Sequence, residues 1–108
     1  MTLYAVWATD RDGALADRER VRPQHRARLR DPGIDRLKVV LAGPTLEPRD
    51  GTMNGTLLVV ESDDLETVQR FVDEDPYVRA GVYGRVEIRP FACGLGPLAA
   101  QPAASPPP

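Results

Sequence analysis

The chain has one cysteine, Cys93, and one histidine, His25, among its 108 residues. A lone cysteine excludes an intrachain disulfide, and no Cys/His group stands at metal-ligand spacing, so neither a disulfide framework nor a zinc motif is present. That usage fits a reducing compartment, and a cytoplasmic location is expected. No apolar run approaches the ~18 residues that a membrane span requires. The opening MTLYAVWATD reaches Asp10 with no basic region and no apolar run of signal-peptide length, so export by that route is not expected. A formal charge of −2 offers no bulk attraction for polyanions, and no basic stripe with interleaved aromatics occurs, which argues against nucleic acid as a partner. P-loop, GxGxxG, HExxH, CxxC and GxSxG are all missing, which removes most well-known enzyme classes.

What is present orders itself as one small domain. A chain of this length buries roughly two-thirds of its unfolded surface, enough for one core without covalent staples. Leu3 to Ala8 is a breaker-free run rich in strand formers and reads as a first strand, closed by the turn residues 9–13. From about Asp17 to Arg30, Val21, His25 and Leu29 recur at i, i+4 and i+8, the spacing of one helix face, with the arginines outward. Pro23 costs ~3 kcal/mol inside a helix, so the regular helix is expected to begin there, where proline is favoured. Leu37 to Ala42 reads as a second strand closed by Gly43 and Pro44, with a loop from Thr45 to Met53. Thr56 to Val60 reads as a third, hairpin-paired strand. Ser62 stands where an N-cap should be, with Asp63 and Asp64 in the first turn of a helix carrying Leu65, Val68, Phe71 and Val72. Pro76 ends that helix or begins a new turn. Tyr83 to Phe91 alternates Arg85, Glu87 and Arg89 with Val86 and Ile88, a strand with one wet face.

Strand and helix in the order βαββαβ make an α+β ferredoxin-like two-layer sandwich over residues 1–93. Its open sheet face, with Trp7 among its residues, needs a cover, and a homodimer is expected. Residues 94–108, ending in QPAASPPP, hold too little apolar content to offset the entropy of ordering and are expected to form a flexible tail.

The residues able to carry chemistry are few. His25 lies on the sheet-facing side of the first helix, and imidazole is the side chain that exchanges protons near neutral pH, so general acid/base work is one reading. A partly buried histidine satisfied by a backbone carbonyl is the other. Asp75 would fix the imidazole tautomer if the two meet, although Asp before Pro is also ordinary turn chemistry. Tyr77 and Tyr83 flank the same segment and offer hydroxyls, or simply core packing. Cys93 has no basic helix terminus beside it and is a poor nucleophile candidate.

The combination of YAVWATD at the start, RPQHRARL on the first helix, LAGP after the second strand and DEDPYVRAGVYGRVEIRPF at the end resembles the YciI-like (YCII-related) family from about Met1 to Phe91. The DPYVRAGVY stretch is the most specific piece and RPxH the second. The resemblance implies a ferredoxin-like fold that dimerises through its sheets, as in the dimeric α/β-barrel proteins. It places the family's histidine and aspartate on His25 and Asp75, and implies an acid/base site. One activity among relatives is dehydrochlorination of a chlorinated hydroxyhydroquinone, and fold relatives include muconolactone isomerase. The charged segment between Gly43 and Gly55, with Glu47, Arg49 and Asp50, departs from the family pattern and is a candidate for setting substrate choice.

Two functions follow as expectations. The first is a small cofactor-free enzyme, of lyase, isomerase or dehydrochlorinase type, in which His25 moves a proton on a cyclic or aromatic-derived substrate and Asp75 orients it. Arg22, Tyr77, Tyr83, Gly43 and Pro44 then bind the substrate. The second is a non-catalytic ligand- or partner-binding module, with a structural His25–Asp75 pair and an arginine-rich helix (Arg20, Arg22, Arg26, Arg28) docking an acidic group. A pair that opens into a pocket favours the first, and a sealed pair the second.

Overall fold

A computed structural model describes residues 1–99. The elements are β1 (Thr2–Asp10), α1 (Leu15–Arg30), β2 (Leu37–Leu46), β3 (Met53–Ser62), α2 (Leu65–Asp73), the single turn α3 (Pro76–Arg79) and β4 (Tyr83–Phe91). The strands pair antiparallel in the order β2-β3-β1-β4, with the helices packed on one face. This is the ferredoxin-like α+β sandwich of the dimeric α/β-barrel type. Past β4 a 3₁₀ turn spans Pro97–Ala99, and the remainder of the expected flexible tail lies outside the described residues.

The two-residue period of β1 divides its side chains between the faces. Tyr4, Val6 and Ala8 are buried under the helices, and Tyr4 and Val6 join Leu58, Val60, Val68, Phe71 and Val72 in the main core. The opposite set faces away from both helices. Trp7 stands across from Leu57, Ala5 from Val59, Val59 from Leu41, and Leu3 from Phe91, so all of these share the uncovered face. On it Trp7 is 50% exposed, Phe91 46% and Leu41 42%.

Several local expectations are corrected. β2 does not close at Gly43 and Pro44 but continues to Leu46, and β3 begins at Met53, so most of the expected loop is hairpin. Proline is admissible there because β2 is an edge strand, where a missing N–H disrupts no inner ladder. The N-cap of α2 is Asp64, which accepts from the Thr67 N–H at 2.8 Å, while Ser62 is the buried last residue of β3. Pro76 begins a new turn, at the favoured first position, with Asp75 as its cap.

The largest correction concerns α1. It begins at Leu15 and runs through Pro23, and its arginines do not all face outward, since Arg18 is 1% exposed. Arg18 donates from Nε and Nη2 to both carboxylate oxygens of Asp10, at 2.7 and 2.9 Å, and from Nη2 to Thr56 Oγ1 at 2.8 Å. Those bonds, with Ala14 and Val21 buried alongside, hold the turns before Pro23 helical against the proline penalty. Burial works against the guanidinium charge, but the Asp10 hydrogen bonds and charge prevail and raise its pKa. Arg18→Ala leaves Asp10 as an uncompensated buried charge, and is expected to cost about 3–5 kcal/mol in chemical denaturation. A loss under about 1 kcal/mol, the range of exposed pairs, would show that the pair does not anchor the helix.

Candidate active site

The site starts from two short elements meeting. Val21 and His25, one turn apart on α1, face inward. The α2–α3 corner brings Asp75 beneath them because its carboxylate caps α3, accepting from the Tyr77 N–H at 2.8 Å. The same carboxylate lies 2.8 and 2.9 Å from His25 Nδ1. A carboxylate that accepts at Nδ1 puts the ring proton there and turns Nε2 outward as the free position. Asp75 is therefore a turn residue and an imidazole partner at once, the two roles weighed as alternatives from sequence.

The Tyr77 ring stacks on His25 with centroids 4.0 Å apart, and Arg18 packs over the Tyr77 and Tyr83 rings, its guanidinium carbon 4.3 Å from the Tyr77 centroid and 5.9 Å from that of Tyr83. Arg28 donates from Nη1 to the Phe71 carbonyl at 2.6 Å and lies 4.0 Å from Asp75, closing the pair on its α2 side. His25 and Asp75 are 6% and 4% exposed.

The pair is not sealed. A cavity of about 200 Å³ opens between α1 and the β2 edge, and His25, Arg22, Tyr77, Gly43 and Pro44 all line it. Asp75 stands behind His25, outside the lining. Tyr83 is elsewhere: its hydroxyl donates to Thr56 Oγ1 at 2.9 Å and its ring meets Tyr77 edge-on, so it buttresses the wall. Glu47, Arg49 and Asp50 lie at the hairpin turn and do not line the cavity, because β2 carries them past its mouth. Of the arginines expected to dock an acidic group, Arg22 and Arg26 reach the cavity, whereas Arg20 pairs with Asp17 and Arg28 is held at Phe71. Sequence reasoning missed Arg18 and Thr56, which form the floor. The signal for Arg18 was its register: it sits three residues before Val21 and seven before His25, on the inward face, with Asp10 at the end of β1 as an available counter-ion.

This fold and this helix-borne cavity define the ferredoxin-like class with a site between helix and sheet edge. Residues 2–92 match the YCII-related domain, and the chain belongs to that family. It is similar to the protein YciI of Escherichia coli O6:H1, 37% identical over 97 residues that span 82% of this chain and 95% of that one. It is also similar to an uncharacterised Haemophilus influenzae protein, 31% identical over 93 residues, 82% of this chain and 94% of that one. Among solved structures, the 5-chloro-2-hydroxyhydroquinone dehydrochlorinase TftG of Burkholderia phenoliruptrix AC1100, in complex with 2,5-dihydroxybenzoquinone, superimposes with a TM-score of 0.76. It is 28% identical, and the match covers 85% of this chain and 95% of that one. No helix among the described residues is long and apolar enough to cross a membrane.

Burial raises the pKa of both Tyr77 and Tyr83 above the ordinary tyrosine value of 10.0, most strongly for Tyr83. In the unfolded chain both hydroxyls ionise near that value, so above it the unfolded state loses protons that the folded state keeps. Stability is accordingly full below about pH 10 and falls as pH climbs further. Tyr83→Phe is expected to flatten the alkaline limb of the denaturation profile, and an identical slope in the variant would contradict this assignment.

Proposed function

We propose that the protein is a small acid/base enzyme in which His25 Nε2 exchanges a proton with a cyclic or aromatic-derived substrate held in the α1 cavity. The observation that carries this reading is the direction of the pair: Asp75 occupies Nδ1, and the ring lines an open cavity rather than packed core. Asp75 orients the imidazole, Tyr77 supports its face, and Arg22, Gly43 and Pro44 border the substrate. Tyr83 acts through Thr56 and Tyr77 as a positioning residue.

The likeness to TftG adds a reaction class. Dehydrochlorination needs a proton removed from one atom as chloride leaves a neighbour, and a positioned imidazole can take that proton. Such transfer contributes ~10²- to 10⁴-fold, enough for an activated ring carbon or phenol and too little for an unactivated amide or phosphodiester. Lyase or isomerase chemistry therefore fits better than hydrolysis. No step calls for a cofactor. The test uses 5-chloro-2-hydroxyhydroquinone as substrate and chloride release as readout. His25→Asn and Asp75→Asn are expected to remain folded, with a lowered melting midpoint because the pair that ties α3 to α1 is weakened, and to lose about 10²-fold or more of the rate. Full rates in both variants would overturn the proton-transfer role.

The active form in this reading is a homodimer in the cytoplasm, with a second copy covering the sheet face that exposes Trp7, Leu41 and Phe91. Such a contiguous apolar patch is disfavoured on a monomer. Sedimentation velocity is expected to give a dimer at micromolar concentration and a folded monomer for Trp7→Glu. A monomeric native protein would refute the dimer.

A further inference from the structure

The floor of the cavity holds polar atoms without partners among the described residues. His25 uses only Nδ1, Arg18 uses only Nε and Nη2, and the Tyr77 hydroxyl makes no hydrogen bond among the described residues. Among those residues no side-chain nitrogen or oxygen is both sealed and unpartnered. His25 Nε2, Tyr77 Oη and Arg18 Nη1 must therefore keep contact with open space. The space these three nearly buried residues share is the cavity. Of the three, Tyr77 Oη and Arg18 Nη1 are donors that an acceptor in the cavity can meet, whereas His25 Nε2, with the ring proton on Nδ1, is itself an acceptor.

The charge around them has one sign. Arg18, Arg22, Arg26 and Arg30 recur every four residues along α1, all four line the cavity, and no lining residue is acidic. Asp10 and Asp75, the carboxylates nearest the site, stand behind Arg18 and His25. Arg22, Arg26 and Arg30 form no ion pair among the described residues, and Arg22 is half-buried at the cavity wall. A row of exposed arginines is by itself only a solvated helix face. What separates this row is that it borders a cavity whose floor offers two donors, Tyr77 Oη and Arg18 Nη1, that have no partner among the described residues and stay open to the cavity.

Size narrows the ligand further. A cavity of ~150 Å³ accepts a benzene ring, so about 200 Å³ accommodates one ring with small substituents. Leu29, Val39 and Pro44 give that ring an apolar wall.

We propose that the cavity selects a single-ring organic anion, whose ionised oxygen is received by Tyr77 Oη, Arg18 Nη1 and Arg22 while the ring lies against Leu29, Val39 and Pro44. Only the placing of a reacting atom at His25 Nε2 rests on the function proposed above. The selection for charge and size does not. Burial keeps the Tyr77 hydroxyl protonated, as a donor must be, and the Arg18 and Arg22 charges close to it favour an anion as acceptor.

Carboxylate and phenolate share this chemistry, and two probes separate them: benzoate, against its neutral isostere benzamide, and 4-nitrophenol, whose visible absorption reports its own ionisation. With the full chain, benzoate is expected to bind at least about tenfold more tightly than benzamide, or the ionisation midpoint of bound 4-nitrophenol to fall by about one pH unit. The first result assigns a carboxylate, the second a phenolate, and either supports the proposal. Tyr77→Phe, which keeps the stack, and Arg22→Gln are each expected to weaken anion binding by about tenfold or more. His25→Asn is expected to retain the preference for the anion. Three results would overturn the proposal: no preference for either anion, unchanged binding in both Tyr77→Phe and Arg22→Gln, or a preference that disappears in His25→Asn. A native protein that binds these anions yet turns nothing over would retire the proposed reaction and leave this assignment standing.

Discussion

The buried guanidinium of Arg18 is the constraint on which the rest is built. Taking a charge out of water costs several kcal/mol unless it is paired and fully hydrogen-bonded. Here the partners come from separate elements: Asp10 from the end of β1, Thr56 from β3 and, through Thr56, Tyr83 from β4. One side chain thus fixes the start of α1 over three of the four strands. The register of α1 then follows, since a helix anchored at Arg18 must present Val21, Arg22 and His25 to the same side a turn or two later. The proline at 23 is carried inside the helix because ends and middle are both held.

The second constraint is the double use of the Asp75 carboxylate. It caps a one-turn helix and pairs with His25 across fifty positions of sequence. Neither use alone would fix the residue so firmly. A cap can fray, and a lone buried His–Asp contact can slide along its helix. Together they lock α3 against α1, and the Tyr77 ring that α3 carries becomes the platform on which the imidazole rests. The same arrangement keeps both nearby carboxylates off the cavity surface. The space in front of His25 is therefore cationic and apolar, although the chain as a whole is slightly acidic.

Much of the fold was legible because local signals agreed. β4 reads from Tyr83 to Phe91 by its alternation, and the structure has those bounds. The core positions of α2 at Val68, Phe71 and Val72 follow from their spacing. The expectations that failed did so where a distant partner outweighed a local preference. Pro23 was read as a helix start because propensity counts only neighbours, and the Asp10 carboxylate that holds the earlier turns is not a neighbour in sequence. Gly43 and Pro44 were read as a stop because their cost to a strand depends on whether it is an edge. That is a property of the assembled sheet.

The site divides along the same line. Residue types, helical spacing and family resemblance nominated His25, Asp75, Arg22, Tyr77, Gly43 and Pro44, and all of these but Asp75 line the cavity. Sequence alone determined the order of the elements, the amphipathic faces and the supply of one imidazole, since these depend on chemistry within a few residues. Only the tertiary structure decided that Arg18 and Arg28 are spent on the protein itself while Arg22 and Arg26 line the cavity, and that Tyr83 supports the wall instead of lining it. It also decided that the imidazole opens outward. Those outcomes turn on whether a particular acceptor, such as Asp10, Thr56 or the Phe71 carbonyl, comes within hydrogen-bond reach, and only packing three dimensions of chain together settles a distance of that size.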